Sequence, residues 1–143
     1  MLAGQIALVL AAVFSGAAAY VTFVEQPARL GLDDLGLLLE WKTAYKRGFV
    51  MQGSLALAGF LFGLLAAFQT GDWFWFLGAI ILVANWPYTL WMIMPTNNQL
   101  MAMEPDDAGP LSRVLIERWG RLHARRTMLG IVATLVFLRA SIV

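Results

Sequence analysis

The sequence contains no cysteine and one histidine. Without thiols there can be no disulfides, thiolate metal sites, iron–sulfur clusters or cysteine nucleophiles, and composition gives no sign of redox compartment. A lone histidine, with no HxxxH or ExxH spacing, excludes a multi-histidine metal centre within one chain. A glycine-rich phosphate loop and a GxSxG nucleophile elbow are also missing. Charge is scarce: 13% of the 143 residues are Asp, Glu, Lys or Arg, and the formal net charge is +1. That balance does not suit a nucleic-acid partner. Acid, base and electrostatic groups are the chemistry left, and no cofactor is predicted.

What the chain has in abundance is apolar surface. Hydrophobic residues make up 60% of it and the mean hydropathy is +0.71, which implies lipid as the solvent. A spanning helix needs roughly 20 mostly apolar residues. The length therefore predicts one all-α domain over residues 1–143, an integral membrane four-helix bundle with spans at about 2–24, 44–68, 73–94 and 111–138. The first span lacks a basic start and exceeds the usual apolar core of a signal peptide, so it is expected to be retained.

Local signals set the expected boundaries. Residues 28–43 read as a connection with a short amphipathic interfacial helix, and Trp41 and Tyr45 as headgroup-level aromatics. Ala12 and Gly16, Ser15 and Ala19, and Gly59 and Gly63 have spacings that permit close helix approach. Gln69 to Asp72 reads as a tight turn with Asp72 as the next N-cap. Asn85-Trp86-Pro87-Tyr88 should bend the third span and free the carbonyl of Val83. Pro95 is expected to stop that helix, leaving Thr96 to Pro110 as the longest polar connection and Ser112 as a cap.

Nine of the ten basic residues, all except Arg139, fall at the end holding the first and third connections. The positive-inside rule then places those connections in the cytoplasm and both termini outside, across the inner membrane if the source is bacterial. Every acid except Asp72 shares that end. The expected architecture is an inert apolar body with a polar mouth facing the cytosol and no charge near the membrane centre, which weighs against a transporter.

Trp119, His123 and Arg126 are spaced i, i+4, i+7 and share one helical face. Arg118, Arg121 and Arg125 lie on other faces as a solvated set, and Glu117 can pair with Arg113 or Arg121. His123 can exchange a proton near neutral pH, although a packed histidine is an equal alternative. Glu25 brings a carboxylate to the membrane boundary, either for chemistry or as partner to Arg29 or Arg126. Asn97 and Asn98 can aim amides into the mouth or serve turn chemistry, the latter being the favoured reading. Trp86 and Tyr88, with Trp91, can wall a flat apolar cavity or simply pack.

Taken in order, several segments resemble the anthrone oxygenase-like membrane family over nearly the whole chain. They are Tyr20, Val24-Glu25-Gln26-Pro27-Ala28-Arg29, Trp41 with Tyr45, Asn85-Trp86-Pro87-Tyr88, Pro95-Thr96-Asn97-Asn98-Gln99-Leu100 and Trp119, His123, Arg126. Much of that family has no assigned function. Members in fungal aromatic polyketide pathways are associated with oxidising anthrones to anthraquinones with molecular oxygen, without a usual metal or flavin. The resemblance implies a cofactor-independent oxygenase acting on a lipophilic aromatic compound, with molecular oxygen as co-substrate. In that reading His123, or else Glu25, removes a C–H proton, Arg126 and Asn98 stabilise an oxyanion, and Trp86, Tyr88, Trp119 and Tyr45 hold the substrate. Two other classes fit the residues: a carrier for a lipophilic ligand or anionic lipid, and an assembly subunit of a membrane complex. The expected partners are membrane lipid and a lipophilic small molecule, and the small size permits a homo-oligomer.

Overall fold

The computed structural model describes residues 1–142, which are helical without strands. Four helical rods make the fold: α1, Leu2–Leu30; α2, Asp34–Thr70; α3, Trp73–Ala102; and α4, Pro110–Ile142. Each of α1, α2 and α3 is long and apolar enough to cross a membrane, so this is an integral membrane protein. The last rod differs from the fourth span expected. Its stretch free of charge runs only from Thr127 to Leu138, short of the roughly 20 residues a lipid-facing span needs. α4 packs along α1 and α3. Each helix packs on the next and α4 closes the ring against α1, an up-down-up-down bundle dictated by short connections.

Two prolines that read as helix ends do not end helices. α1 runs through Pro27 to Leu30, and α3 runs through Pro95 to Ala102. Each proline follows a single π turn, Val21–Glu25 in α1 and Thr89–Ile93 in α3. A proline has no N–H to give and its ring crowds the carbonyl one turn back. Widening the preceding turn by one residue removes that conflict. The amide of Gln26 bonds to Val21 and that of Met94 to Thr89, so each rod passes its proline intact. As a result the expected interfacial helix does not exist separately: only Gly31 to Asp33 link the first two rods, and residues from Asp34 onward are the first turns of α2. Asp33 caps α2 by accepting the Gly36 amide at 2.9 Å.

The expectations for the α2–α3 turn and for the carbonyl of Val83 hold. Gly71 ends α2 at φ 71°, where a side chain would be strained. Asp72 caps α3 by accepting from the Phe74 amide at 2.9 Å. Around Pro87, Tyr88 N–H bonds to Ala84 at 3.1 Å, so Val83 receives no amide from residue 87 or 88. Ser112 is not the cap of α4 but reaches back to Gly109, bonding its carbonyl at 2.9 Å.

Packing divides the interior into two dry clusters. At the end away from most charges, Ala7, Ala11, Phe14, Ala18, Ala56, Ala66, Trp75, Ala79, Leu82, Ala133 and Phe137 pack together. Small residues let the rods close: a Cβ on Gly63 or Gly78 would meet the Phe137 ring, and one on Gly130 would meet Phe14. Gly59 and Gly63 thus mark a helix contact inside the chain, with Leu82 and Phe137 filling the notch. Of the α1 pairs, Ser15 is buried against Thr134, bonded at 2.8 Å, whereas Ala12 and Gly16 face outward. The second cluster, at the charged end, joins Leu37, Leu38, Trp41, Ile93, Leu100, Leu115, Ile116, Trp119 and Leu122. Trp41 is wholly buried in it, so its ring packs inside the bundle and does not face lipid.

Candidate functional site

Between the two clusters lies a polar layer. Buried in it are Gln52 from α2, Asn85, Thr89 and Asn97 from α3, and His123, Arg126 and Thr127 from α4. Most of these side chains border one hollow of about 60 Å³, lined in part by Val21, Glu25 and Arg29 of α1 and by Tyr45, Gly48 and Phe49 of α2. Each rod supplies a helical stripe. Val21, Glu25 and Arg29 repeat every fourth residue, as do Thr89, Ile93 and Asn97, while Trp119, His123 and Arg126 form the stripe read from the sequence. Both π turns therefore sit at the hollow, a frequent position for such bulges.

The hollow is not the open mouth expected. Toward the charged end lies the dry cluster that holds Leu37, Leu38, Leu100 and Ile116, all wholly buried. Its free edges lie sideways. Gly48, on the α2 side, has open space where a Cβ would be, and a smaller hollow of about 20 Å³ adjoins it, sharing Phe49, Thr89 and Arg126. That second space is bordered by the outward-facing Trp86 and Leu90.

Its two buried arginines are in opposite states. Arg29 is clasped by Glu25 at 2.7 Å and approached by Glu40 at 2.9 Å, and it lies over the Trp119 ring at 5.5 Å. Arg126 has no carboxylate partner among the described residues. Its guanidinium rests 5.5 Å from the Phe14 ring and its Nε is buried without a hydrogen bond. This places a charge beside the middle of α1, contrary to the expectation of none at depth. Burying a charge without a partner is expensive, and here the guanidinium borders a hollow.

Other orphaned atoms surround the same space. Gln52 Oε1, Thr89 Oγ1, Asn97 Oδ1 and Trp119 Nε1 are buried and unpaired among the described residues, and all four residues line the hollow. Each would cost about 1–3 kcal/mol if left dry. Such a set calls for water or for the polar groups of a ligand.

His123 is held on two sides. Its ring stacks on Trp119 at 4.9 Å, and Trp119 meets Trp41 edge-on at 5.8 Å. Tyr45 stacks on the other face of this tract, 4.9 Å from Trp41. The Nδ1 atom lies 3.3 Å from the Thr22 hydroxyl, and Nε2 has no hydrogen-bond partner among the described residues.

The residues singled out from the sequence divide accordingly. His123, Arg126, Glu25, Trp119 and Tyr45 converge on the hollow, and Trp86 borders the adjoining one. Asn98 does not: it faces outward, and the buried Asn97 takes its place. Tyr88 lines neither space; its hydroxyl donates to the Leu122 carbonyl at 2.9 Å, tying α3 to α4. Arg118, Arg121 and Arg125 are exposed. Arg113 pairs with Asp34 at 2.6 Å rather than with Glu117. Gln52 and Thr89 were not singled out for the site, although neutral polar residues inside apolar spans carry the signal, since lipid offers them no partner.

The family model described as anthrone oxygenase matches residues 41–136, two-thirds of the chain. The chain belongs to the anthrone oxygenase family. No curated protein and no solved structure matches it. The family match takes in the α2, α3 and α4 walls of the hollow, including Tyr45, Asn97, His123 and Arg126. It leaves Thr22, Glu25 and Arg29 of α1 outside, so the role of that fourth wall in this anthrone oxygenase-family protein rests on the geometry above.

Proposed function

We propose that this protein is a membrane-embedded oxygenase that oxidises a lipophilic aromatic methylene ketone of the anthrone class with molecular oxygen, needing no resident cofactor. The observation that carries the reading is the juxtaposition of His123, with Nε2 free, and the unpaired Arg126 on one buried hollow. His123 Nε2 takes a proton from the ring methylene, and the electron pair delocalises onto the ketone oxygen as an aromatic oxyanion. Arg126 and the Asn97 amide meet that charge. The carbanionic carbon then bonds to oxygen, the peroxide is protonated, and loss of water leaves a second carbonyl. The balance is anthrone plus O₂ giving anthraquinone plus H₂O. Trp119 and Tyr45 provide flat apolar walls, with Trp86 at the outer edge.

About 60 Å³ is room for a few waters and far below the roughly 300–1,000 Å³ of sites for drug-sized ligands. Substrate binding therefore requires side chains to move, and the half-buried Tyr45 and Phe49 are the residues free to do so. The open space at Gly48 and the adjoining hollow beside the exposed Trp86 let the substrate arrive from the bilayer side. The orientation that follows the basic residues puts the charged end in the cytoplasm and both termini outside.

The test is direct. Purified protein in lipid nanodiscs, given an anthrone, should consume one O₂ per quinone formed, and ¹⁸O₂ should label the new carbonyl. No uptake above the rate of empty nanodiscs, together with an unaltered lipophilic ligand co-purifying, would replace the enzyme by a carrier.

A further inference from the structure

Three hydroxyl and carbonyl contacts behind His123 decide which ring nitrogen carries the exchangeable proton. Thr127 Oγ1 lies 3.1 Å from the Ala18 carbonyl and 3.2 Å from the His123 carbonyl. Carbonyls only accept, so two acceptors compete for the single hydroxyl proton of Thr127. The same hydroxyl lies 2.8 Å from Thr22 Oγ1. Where that proton goes to a carbonyl, Thr127 has only lone pairs to offer Thr22, and Thr22 is the donor between them. Thr22 then faces His123 Nδ1, at 3.3 Å, with lone pairs alone. The contact is satisfied only if Nδ1 carries a hydrogen.

We infer that Thr22 and Thr127 are positioning residues that keep His123 protonated on Nδ1, so that Nε2 alone gains and loses the exchangeable proton. The conclusion holds for both charge states, since Nδ1 is a donor in the neutral ring and in the imidazolium. Stacking on Trp119 at 4.9 Å fixes the ring plane, and the hydroxyl relay fixes the edge. The relay joins α1 to α4 across the sequence: Thr22 lies in the π turn Val21–Glu25, so the bulge that accommodates Pro27 also presents this hydroxyl. The catalytic consequence rests on His123 being the base of the proposed oxidation, whereas the proton placement does not.

The chain has one histidine, so its imidazole can be read without overlap. In protein labelled with ¹⁵N-histidine and held in nanodiscs, long-range ¹H–¹⁵N correlation should show a pyrrole-type Nδ1 and a pyridine-type Nε2. Thr127→Val leaves Thr22 with no acceptor but Nδ1, and should convert the ring to the Nε2–H tautomer. Thr22→Val should likewise lose the Nδ1–H preference, while Thr22→Ser and Thr127→Ser should keep the parent spectrum. Anthrone oxidation should fall at least about tenfold in the valine variants and recover in the serine variants. A parent protein with Nε2–H, or a Thr127→Val protein with unchanged tautomer, overturns the inference. Loss of the oxidase reading alone would look different: the Nδ1–H spectrum would stand, and the parent protein would simply fail to oxidise the anthrone.

Discussion

At the scale of single residues, Arg29 and Arg126 make a matched pair of opposites. Both are buried, but Arg29 is paired with Glu25 and Glu40 while Arg126 has no carboxylate partner among the described residues. Removing Arg29 strands two carboxylates, so Arg29→Met should destabilise the bundle by about 3–5 kcal/mol, read as a lower thermal unfolding midpoint in detergent. Arg126→Met replaces an unpaired charge by an apolar chain of similar reach. It should unfold at the same temperature or higher, and lose roughly 10²–10³ in turnover if the guanidinium meets a developing oxyanion. A large stability loss at Arg126 with turnover intact would show the residue to be structural. The Trp119, His123 and Arg126 stripe was legible because α4 is regular and its period maps onto a face. Of the two adjacent asparagines the sequence favoured Asn98 over the buried Asn97, because a π turn precedes them. One extra residue in the turn rotates everything that follows, and no sequence period announces where that residue is inserted.

At the scale of elements, glycines separate close packing from open space. Gly63 abuts Phe137 and Ala79, whereas Gly48 meets nothing within 4 Å. Gly63→Leu should therefore overpack the α2–α4 contact and cost about 1–3 kcal/mol. Gly48→Leu should fold normally and fill the edge of the hollow. The expected outcome is an unchanged unfolding midpoint with ligand affinity and turnover depressed at least about tenfold; equal stability loss at both positions would mean that Gly48 also sits in a packed seam. Helix existence was readable from hydropathy and the α2–α3 turn from Gly71 and Asp72, because those features are local. The passage of α1 and α3 through Pro27 and Pro95 was not, because a proline is a helix terminator unless the preceding turn widens. That widening depends on what the neighbouring rods pack against.

At the scale of the whole molecule, the arrangement is a sandwich along the bundle axis: an alanine-rich dry cluster, a polar layer, and a second dry cluster under the charged connections. Composition foretold the apolar body and the charged end, but not the polar layer between the two clusters. Gln52 and Thr89 read as isolated polar residues until the rods bring them to one hollow. The absence of cysteine makes the orientation accessible to measurement. A single cysteine at Gln69, exposed beside the α2–α3 turn, should react with an impermeant maleimide added outside intact cells. One at Asp106, in the α3–α4 connection, should react only after the membrane is opened; the reverse pattern would invert the topology. In the proposed reaction a proton leaves a lipophilic substrate for a ring nitrogen buried between the two dry clusters. Oxygen uptake on an anthrone by the parent protein and by His123→Gln, at equal folded amounts in nanodiscs, measures that step. A fall of about 10²–10⁴-fold in the variant is predicted, and an unchanged rate would contradict the account.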